Sequence, residues 1–137
     1  MLATTRPRST DSKFRLLYLG NDLKLMTAVR QVLTLPIYRL VACSDRESAI
    51  LFLESEIPYD LLLIDLDWRG KEGLKLARLA HSLQHRKRMP IILVAGRMSS
   101  DIQALARKAG VKKCVTKKPD LGAVSDAIRQ LVEPPEK

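Results

Sequence analysis

The chain of 137 residues has few aromatic side chains, few cysteines and no long apolar run. Aromatic residues make up only 4% of it, and no base-stacking motif or helix-turn-helix is visible, so specific nucleic-acid recognition has no support. The two cysteines, Cys43 and Cys114, make neither a disulfide framework nor a zinc pattern. We expect each to be a small apolar side chain in a strand.

The apolar segments are too short to cross a membrane, because none approaches the ~20 residues of a span. Residues 1–10 are polar and basic and lack the apolar centre of a secretory signal peptide. We therefore expect a cytoplasmic protein. A hydrophobic content of 46% in 137 residues is enough for one domain with a buried core.

Acidic residues are scarce in one part of the chain. Residues 73–118 hold 12 of the 24 lysines and arginines but a single acid, Asp101, and the net charge is +9. Such a basic region favours an acidic partner, which would be a protein surface, nucleic acid or anionic lipid. A solvated face that keeps the protein in solution explains the charge equally well.

The apolar pattern predicts five strands that alternate with five helices. Strands are expected at residues 14–19, 38–43, 61–65, 91–94 and 113–116, and helices at 22–35, 44–56, 71–83, 100–109 and 120–132. This alternation predicts a parallel sheet with right-handed crossovers and helices on both faces. Residues 1–13 are expected to be a disordered basic arm, residues 14–132 the domain, and residues 133–137 a tail.

Helix ends can be placed from capping residues. Ser44 with Glu47 fits a capping box, as does Ser100 with Gln103. Gly110 stands where a left-handed helix terminator is expected. Asp120 can cap the last helix, and Pro134 and Pro135 end it. The segment His85-Arg-Lys-Arg88 is expected to be a basic loop.

One predicted strand ends abruptly in a carboxylate. Four consecutive apolar residues, 61–64, are typical of a strand that is buried on both faces. Asp65 follows, and then a loop with Gly70 and Gly73. Open α/β sheets place their functional sites just beyond the carboxyl ends of such strands, so Asp65 is the first candidate for a functional residue.

The other strand ends supply partners for Asp65. Asp22 lies after the first strand, Asp67 after the third, and Lys117 after the fifth. A doubly wound sheet brings these ends into one cleft. Aspartate and lysine together predict a phosphoryl site, where the carboxylate accepts the phosphoryl group or holds Mg²⁺ and the lysine balances phosphate charge.

The segment Asp65-Leu-Asp67-Trp-Arg-Gly70-Lys-Glu-Gly73, the Ala109-Gly110 corner and Lys117 resemble the receiver domains of two-component response regulators. The chain is similar to the single-domain chemotaxis regulator over about residues 14–132. The resemblance implies an α/β, flavodoxin-like fold: a three-layer (βα)₅ doubly wound parallel sheet with strand order 2-1-3-4-5. It also implies that Asp65 is the position that accepts a phosphoryl group from a sensor kinase phosphohistidine, and that Lys117 pairs with the phosphate.

The chain departs from the family pattern at several positions. The two acids that hold Mg²⁺ after the first strand are matched by Gly20 and Asn21, with Asp22 displaced by one. Ala95 stands where the family has a serine or threonine, and Cys114 stands at the aromatic switch position of the fifth strand. The Lys-Pro pair is interrupted by an extra lysine. The resemblance is therefore to an atypical member.

These departures predict weak Mg²⁺ binding. Asp65 is left as the main anionic ligand, with Asn21, Asp22 and Asp67 as weaker ligands. Lys117 supplies one charge but cannot replace the metal. We expect little or no Mg²⁺-dependent phosphorylation of Asp65.

Several residues also have simpler interpretations. Asp65 can bond nearby backbone amides, Lys117 can pair with Asp65 only to hold the cleft together, and Asp67 can be a solvated loop charge. Trp68 is either an exposed binding anchor or packs over the cleft edge. His81 and His85 lack a nearby acidic ligand and are expected on the surface, outside any metal site.

The function expected is that of a stand-alone, non-enzymatic receiver domain of a phosphorelay that acts through protein–protein contacts. A sensor histidine kinase or another signalling protein is the expected partner, and the predicted fourth helix, fifth strand and fifth helix form a face for a homodimer. An acidic partner surface would meet the basic residues Arg107, Lys108, Lys112 and Lys113. Two alternatives remain open: an active Asp65 phosphoacceptor, and a basic nucleic-acid-associated protein.

Overall fold

Five parallel strands form a single sheet in the order β2-β1-β3-β4-β5. The computed structural model describes residues 14–33, 37–117 and 121–133. The strands are β1 (Phe14–Leu19), β2 (Tyr38–Cys43), β3 (Leu61–Asp65), β4 (Ile91–Ala95) and β5 (Lys113–Thr116). The strand order and the parallel pairing confirm the predicted α/β, flavodoxin-like fold.

Helices cover both faces of the sheet. They are α1 (Leu23–Val32), α2 (Arg46–Glu54), α3 (Leu66–Arg69), α4 (Lys71–Ser82), α5 (Ser100–Lys108) and α6 (Gly122–Val132), with a 3₁₀ turn at Gln84–Arg86. Helices α1 and α6 pack on one face. Helices α2, α4 and α5 pack on the other, which completes the three layers.

The central strands are buried on both faces, which explains their unbroken apolar runs. Every residue of β3 and β4 is buried, whereas the edge strands β2 and β5 carry exposed residues. The register sets Ile64 beside Leu19 and Leu93, and Ala95 beside Thr116. The carboxyl ends of β1, β3, β4 and β5 therefore lie together at one edge of the sheet.

Two predicted capping boxes are displaced by one residue. Helix α2 is capped by Asp45, whose side chain accepts from the Ser48 amide, so the Ser44 and Glu47 box is wrong. Helix α5 is capped by Ser99, whose hydroxyl accepts from Ile102 N, so the Ser100 and Gln103 box is wrong as well. In both places two neighbouring residues are good caps, so the residue type alone does not decide between them.

Other predicted helix ends are partly confirmed. Asp22 caps α1, which ends at Val32, and residues 34–36 lie outside the described residues. Helix α2 ends at Glu54, two residues before its predicted end. Gly110 has φ +92°, as expected for a left-handed terminator. The predicted arm, the cap at Asp120 and residues 134–137 lie outside the described residues.

The expected loop after Asp65 is two helices joined at Gly70, which has φ +55°. Gly73 belongs to the first turn of α4 and packs on β3. A Cβ atom there would lie 2.9 Å from Ile64 Cγ2, so the helix can approach the sheet this closely only at a glycine.

The basic segment at residues 85–88 is not simply a solvated loop. Arg86 is buried, and its guanidinium donates to the carbonyls of Phe52, Leu53 and Ser55 at 2.9–3.0 Å. These carbonyls end helix α2, so Arg86 caps that helix from a distant part of the chain. Within the described ranges, no helix is long and apolar enough to cross a bilayer.

Candidate functional site

Asp65 ends β3 as a buried carboxylate with three hydrogen-bond partners. Its Oδ1 accepts from the Asp67 amide at 3.0 Å, which makes Asp65 the N-cap of α3. Its Oδ2 accepts from the Tyr18 hydroxyl at 2.9 Å and from Lys117 Nζ at 2.7 Å. Asp65 therefore both bonds a backbone amide and pairs with a lysine, and neither oxygen is left without a donor.

Lys117 is the centre of the site, because its ammonium group meets three carboxylates. Nζ lies 2.7 Å from Asp65 Oδ2, 2.8 Å from Asp22 Oδ2 and 3.3 Å from Asp67 Oδ2. Its backbone amide donates to Ala95 O at 2.8 Å, which continues the pairing of β5 with β4 and directs the side chain over the strand ends. We call Asp22, Asp65, Asp67 and Lys117 the carboxylate cluster.

Lys117 and Asp22 stabilise each other's charged forms. The hydrogen bond from Lys117 is the main cause that lowers the pKa of Asp22. Burial alone would lower the pKa of Lys117, but the bonds to Asp22 and Asp65 outweigh it and raise that pKa. The lysine is therefore held as a cation by its own neighbours.

Asp22 and Asp67 also have structural roles. Asp22 Oδ1 accepts from the Leu25 amide at 3.1 Å and caps α1. Asp67 is half exposed, but its Oδ2 accepts from Gly96 N at 2.9 Å and so links α3 to the end of β4. The solvated-loop interpretation of Asp67 is thus incomplete. Asn21 is exposed.

Tyr18 belongs to the site, although nothing in the sequence marked it. It is fully buried in β1, and its hydroxyl donates to Asp65 Oδ2 and accepts from the Asp22 amide at 3.1 Å. Burial is the main cause that raises the pKa of this hydroxyl, so it remains a neutral donor. The one available signal was a tyrosine within an otherwise leucine-rich strand segment, two residues before Gly20.

Ala95 and Cys114, which the resemblance matched to the family's switch residues, lie at the end of β4 and within β5. Ala95 is buried at the end of β4 and has no hydroxyl to offer a phosphoryl group. Cys114 is partly buried in β5, where burial raises the pKa of its thiol. It lines a shallow cleft of about 200 Å³ together with Gln103, Arg107, Val111 and Lys113.

The remaining predicted residues lie outside the cluster. Arg107, Lys108, Lys112 and Lys113 are exposed around the end of α5 and the start of β5. His81 and His85 are on the surface as expected. The Trp68 indole donates to Ser44 O at 3.1 Å and its ring packs against the core, which fits the cleft-edge position.

The residues present do not fit a magnesium ion well. Mg²⁺ demands a near-octahedral set of oxygen ligands. Residues 14–33, 37–117 and 121–133 contain no group of three His, Cys, Asp or Glu side chains placed to hold a metal. Asp65 Oδ2 already accepts from two donors, and the cation between the carboxylates is Lys117.

The comparisons with known proteins agree with the fold. Residues 19–129 match the family model of the response regulator receiver domain. The chain therefore belongs to the receiver domain family of two-component signalling, as the sequence predicted. Receiver domains are signalling domains and are not generally classed as enzymes. No curated protein matches the chain.

Solved structures with the same fold include metal-bound receivers. The Mn²⁺-bound response regulator Rcp1 is 18% identical with a TM-score of 0.76, over 90% of this chain and 97% of that one. The receiver domain of sensor histidine kinase PA1611 from Pseudomonas aeruginosa PAO1, with magnesium in its active-site cleft, is 17% identical with a TM-score of 0.73, over 90% and 100%. A CheY-like receiver protein from Methanospirillum hungatei JF-1 is 22% identical with a TM-score of 0.74, over 89% and 95%. At these low identities, the TM-scores show that the fold is shared.

Proposed function

We propose that this receiver domain signals in the cytoplasm through protein–protein contacts, with weak or no Mg²⁺-dependent phosphorylation of Asp65. A sensor histidine kinase or another signalling protein is the proposed partner. The observation that carries the proposal is the carboxylate cluster, in which Lys117 already pairs with Asp22, Asp65 and Asp67.

Phosphoryl transfer to Asp65 requires an accessible carboxylate oxygen and a cation that neutralises the phosphoryl oxygens, and the carboxylate cluster provides neither. The attacking oxygen must be accessible to the phosphodonor, but Oδ2 accepts from both Tyr18 and Lys117, and the Asp65 side chain is only 2% exposed. The developing charge on the phosphoryl oxygens must also be neutralised. Lys117 is the cation nearest to Asp65, and three carboxylates already share its charge.

The proposal predicts that a small phosphodonor leaves the protein unmodified. After incubation with acetyl phosphate and Mg²⁺, intact-mass spectrometry is expected to show the unmodified mass, as it does for the Asp65→Asn control. A phosphoryl adduct on most of the wild-type protein, lost in Asp65→Asn, would establish the active-phosphoacceptor alternative and remove the proposal.

A basic groove between α4 and α5 supports an acidic protein as the partner. Three exposed cations, Lys71, Lys75 and Arg78, lie four and three residues apart on one face of α4. They border a cleft of about 210 Å³ whose apolar lining is Leu74, Leu105 and Ala109. Leu105 is 45% exposed, so the groove combines positive charge with uncovered apolar surface. An acidic segment with an apolar anchor matches both properties.

Charge reversal tests this surface against the one predicted from the sequence. Lys75→Glu/Arg78→Glu is expected to weaken binding of a fluorescent Glu/Leu-rich helical peptide about tenfold in an anisotropy titration, equal to about 1.4 kcal/mol. Lys112→Glu/Lys113→Glu makes the same charge change elsewhere and is the matched control. Loss of binding only in that control would place the partner's binding site at the exposed lysines Lys112 and Lys113, beside the start of β5.

Duplex DNA in the same titration tests the nucleic-acid alternative. Binding of DNA at low salt that is tighter than binding of the peptide, and that falls steeply as salt rises, would favour that alternative.

A homodimer through α5, β5 and α6 stays a prediction, which sedimentation of the wild-type protein can check.

A further inference from the structure

Tyr18 and Asp65 leave no space for a side chain at Gly20. A Cβ atom added at Gly20 would lie 2.5 Å from the Tyr18 hydroxyl oxygen, 2.7 Å from Tyr18 Cζ and 2.8 Å from Asp65 Cβ. Gly20 is not among the described glycines with positive φ, which are Gly70 and Gly110. Glycine is therefore required here by lack of space, and backbone conformation does not demand it.

The Tyr18 ring fills the space beside Gly20, and its hydroxyl is neutral. Through it, β1 is bonded to Asp65 in β3 and to the Asp22 amide at the start of α1. The cluster already has three carboxylates against the single charge of Lys117. A phenol adds a hydrogen-bond donor to Asp65 without adding negative charge, whereas a carboxylate would add charge and need another cation.

We propose that Tyr18 and Gly20 act as a coupled pair that keeps divalent metal out of the cleft. The ring takes the space that a carboxylate at position 20 would need, and the hydroxyl holds Asp65 against Lys117. This inference rests on the proposed phosphorylation-independent function, and it assigns the weak metal binding to Tyr18. Tyr18 acts here as a positioning residue for Asp65.

The test measures Mn²⁺ binding in four proteins. The concentration of free Mn²⁺ is monitored by electron paramagnetic resonance. The four proteins are wild type, Gly20→Asp, Tyr18→Leu and the double variant Tyr18→Leu/Gly20→Asp. The double variant is expected to bind Mn²⁺ at least tenfold more tightly than wild type, because it adds a carboxylate and removes the ring that makes the two shortest contacts with a Cβ atom at position 20. The remaining contact, with Asp65 Cβ, needs only a small shift of the backbone. Each single variant is expected to stay within about threefold of wild type.

Tyr18→Phe/Gly20→Asp is the matched control, since it removes the hydroxyl but keeps the ring. We expect no gain in Mn²⁺ affinity there. A gain in this control equal to that of Tyr18→Leu/Gly20→Asp would overturn the steric part of the inference. So would Mn²⁺ binding by Gly20→Asp alone as tight as in the double variant.

Thermal unfolding without metal gives a second measurement that does not depend on affinity. Gly20→Asp is expected to lower Tm sharply, and Tyr18→Leu is expected to restore part of that loss in the double variant. Strictly additive changes in Tm would contradict the coupling, even if Gly20→Asp is too unstable for the metal titration.

The outcomes separate this inference from the proposed function. Phosphorylation of wild-type Asp65 would remove the proposed function, whatever the variants show. An unmodified wild type together with additive variants would leave the function standing and remove the role of Tyr18 and Gly20.

Discussion

Lys117→Met is expected to lower the free energy of unfolding by about 3 kcal/mol, because it leaves a buried carboxylate without its cation. Asp65 is buried and cannot recover hydration, whereas Asp22 and Asp67 are partly exposed and recover some. For a domain of this size the loss corresponds to a fall in Tm of about 10 °C. Urea and thermal denaturation at pH 7 measure both quantities.

Two comparisons isolate the ion pair. Lys112→Met removes an exposed lysine and is expected to change stability by less than about 0.5 kcal/mol. Adding Asp65→Asn to Lys117→Met is expected to recover about 2 kcal/mol, since the amide needs no cation. A Tm of Lys117→Met within about 2 °C of wild type would show that the cluster does not depend on its lysine.

Acid should reduce the difference in stability between wild type and Lys117→Met. The pKa of Asp22 is lowered in the folded state by Lys117, so its stabilisation is present above the unfolded value of about 3.9 and is lost as pH falls through the folded value. The raised pKa of Lys117 keeps its own contribution intact up to about pH 10. The Tm gap should therefore be constant at neutral pH and shrink below about pH 4. A gap that persists unchanged at pH 3 would contradict this assignment.

Arg86→Met is expected to cost about 3 kcal/mol for a different reason. The substitution removes a donor from each of three carbonyls at the end of α2, which keep their contacts with His85 Nε2 and with the Ser55 hydroxyl and amide. It also removes the guanidinium from the Tyr59 ring, where it lies 5.1 Å from the centroid. Chemical denaturation gives the loss, and hydrogen exchange should show faster exchange in the last turn of α2.

Arg86→Lys and Arg88→Met are the informative controls. Lysine keeps the charge but cannot reach three carbonyls with a rigid fork, so we expect about 2 kcal/mol of loss. Arg88 is exposed, and its replacement should change stability by less than about 0.5 kcal/mol. Wild-type stability in Arg86→Lys would mean that positive charge alone is enough at this helix end.

The sheet was predictable because its signal is local and repeated. The central strand β3 is apolar from Leu61 to Ile64, and the alternation with helices leaves few arrangements of parallel strands. The caps of α2 and α5 were each missed by one residue, because Asp45 and Ser99 compete with equally suitable neighbours. The residue type alone does not fix at which of two such neighbours the first helical turn begins.

Only the residues of the site that lie at strand ends were predictable from the sequence. Asp65 and Lys117 were expected together because the carboxyl ends of parallel strands share one edge. Tyr18 and Arg86 were not foreseen as partners, because each is a long side chain whose polar end acts far from its own backbone. Sequence spacing does not report where such an end lies, and the charge of Arg86 favoured an exposed position.

The close contact between Gly20 and Tyr18 also limits the order in which this sequence can change. An acid introduced at position 20 meets the tyrosine ring, and a smaller side chain introduced first at position 18 leaves a cavity in the core. Either first step gives a less stable protein than its starting point. A change from this pair to an acid at position 20 therefore passes through a less stable single variant. Thermal unfolding of the four proteins that differ at positions 18 and 20 measures how much stability that single variant loses.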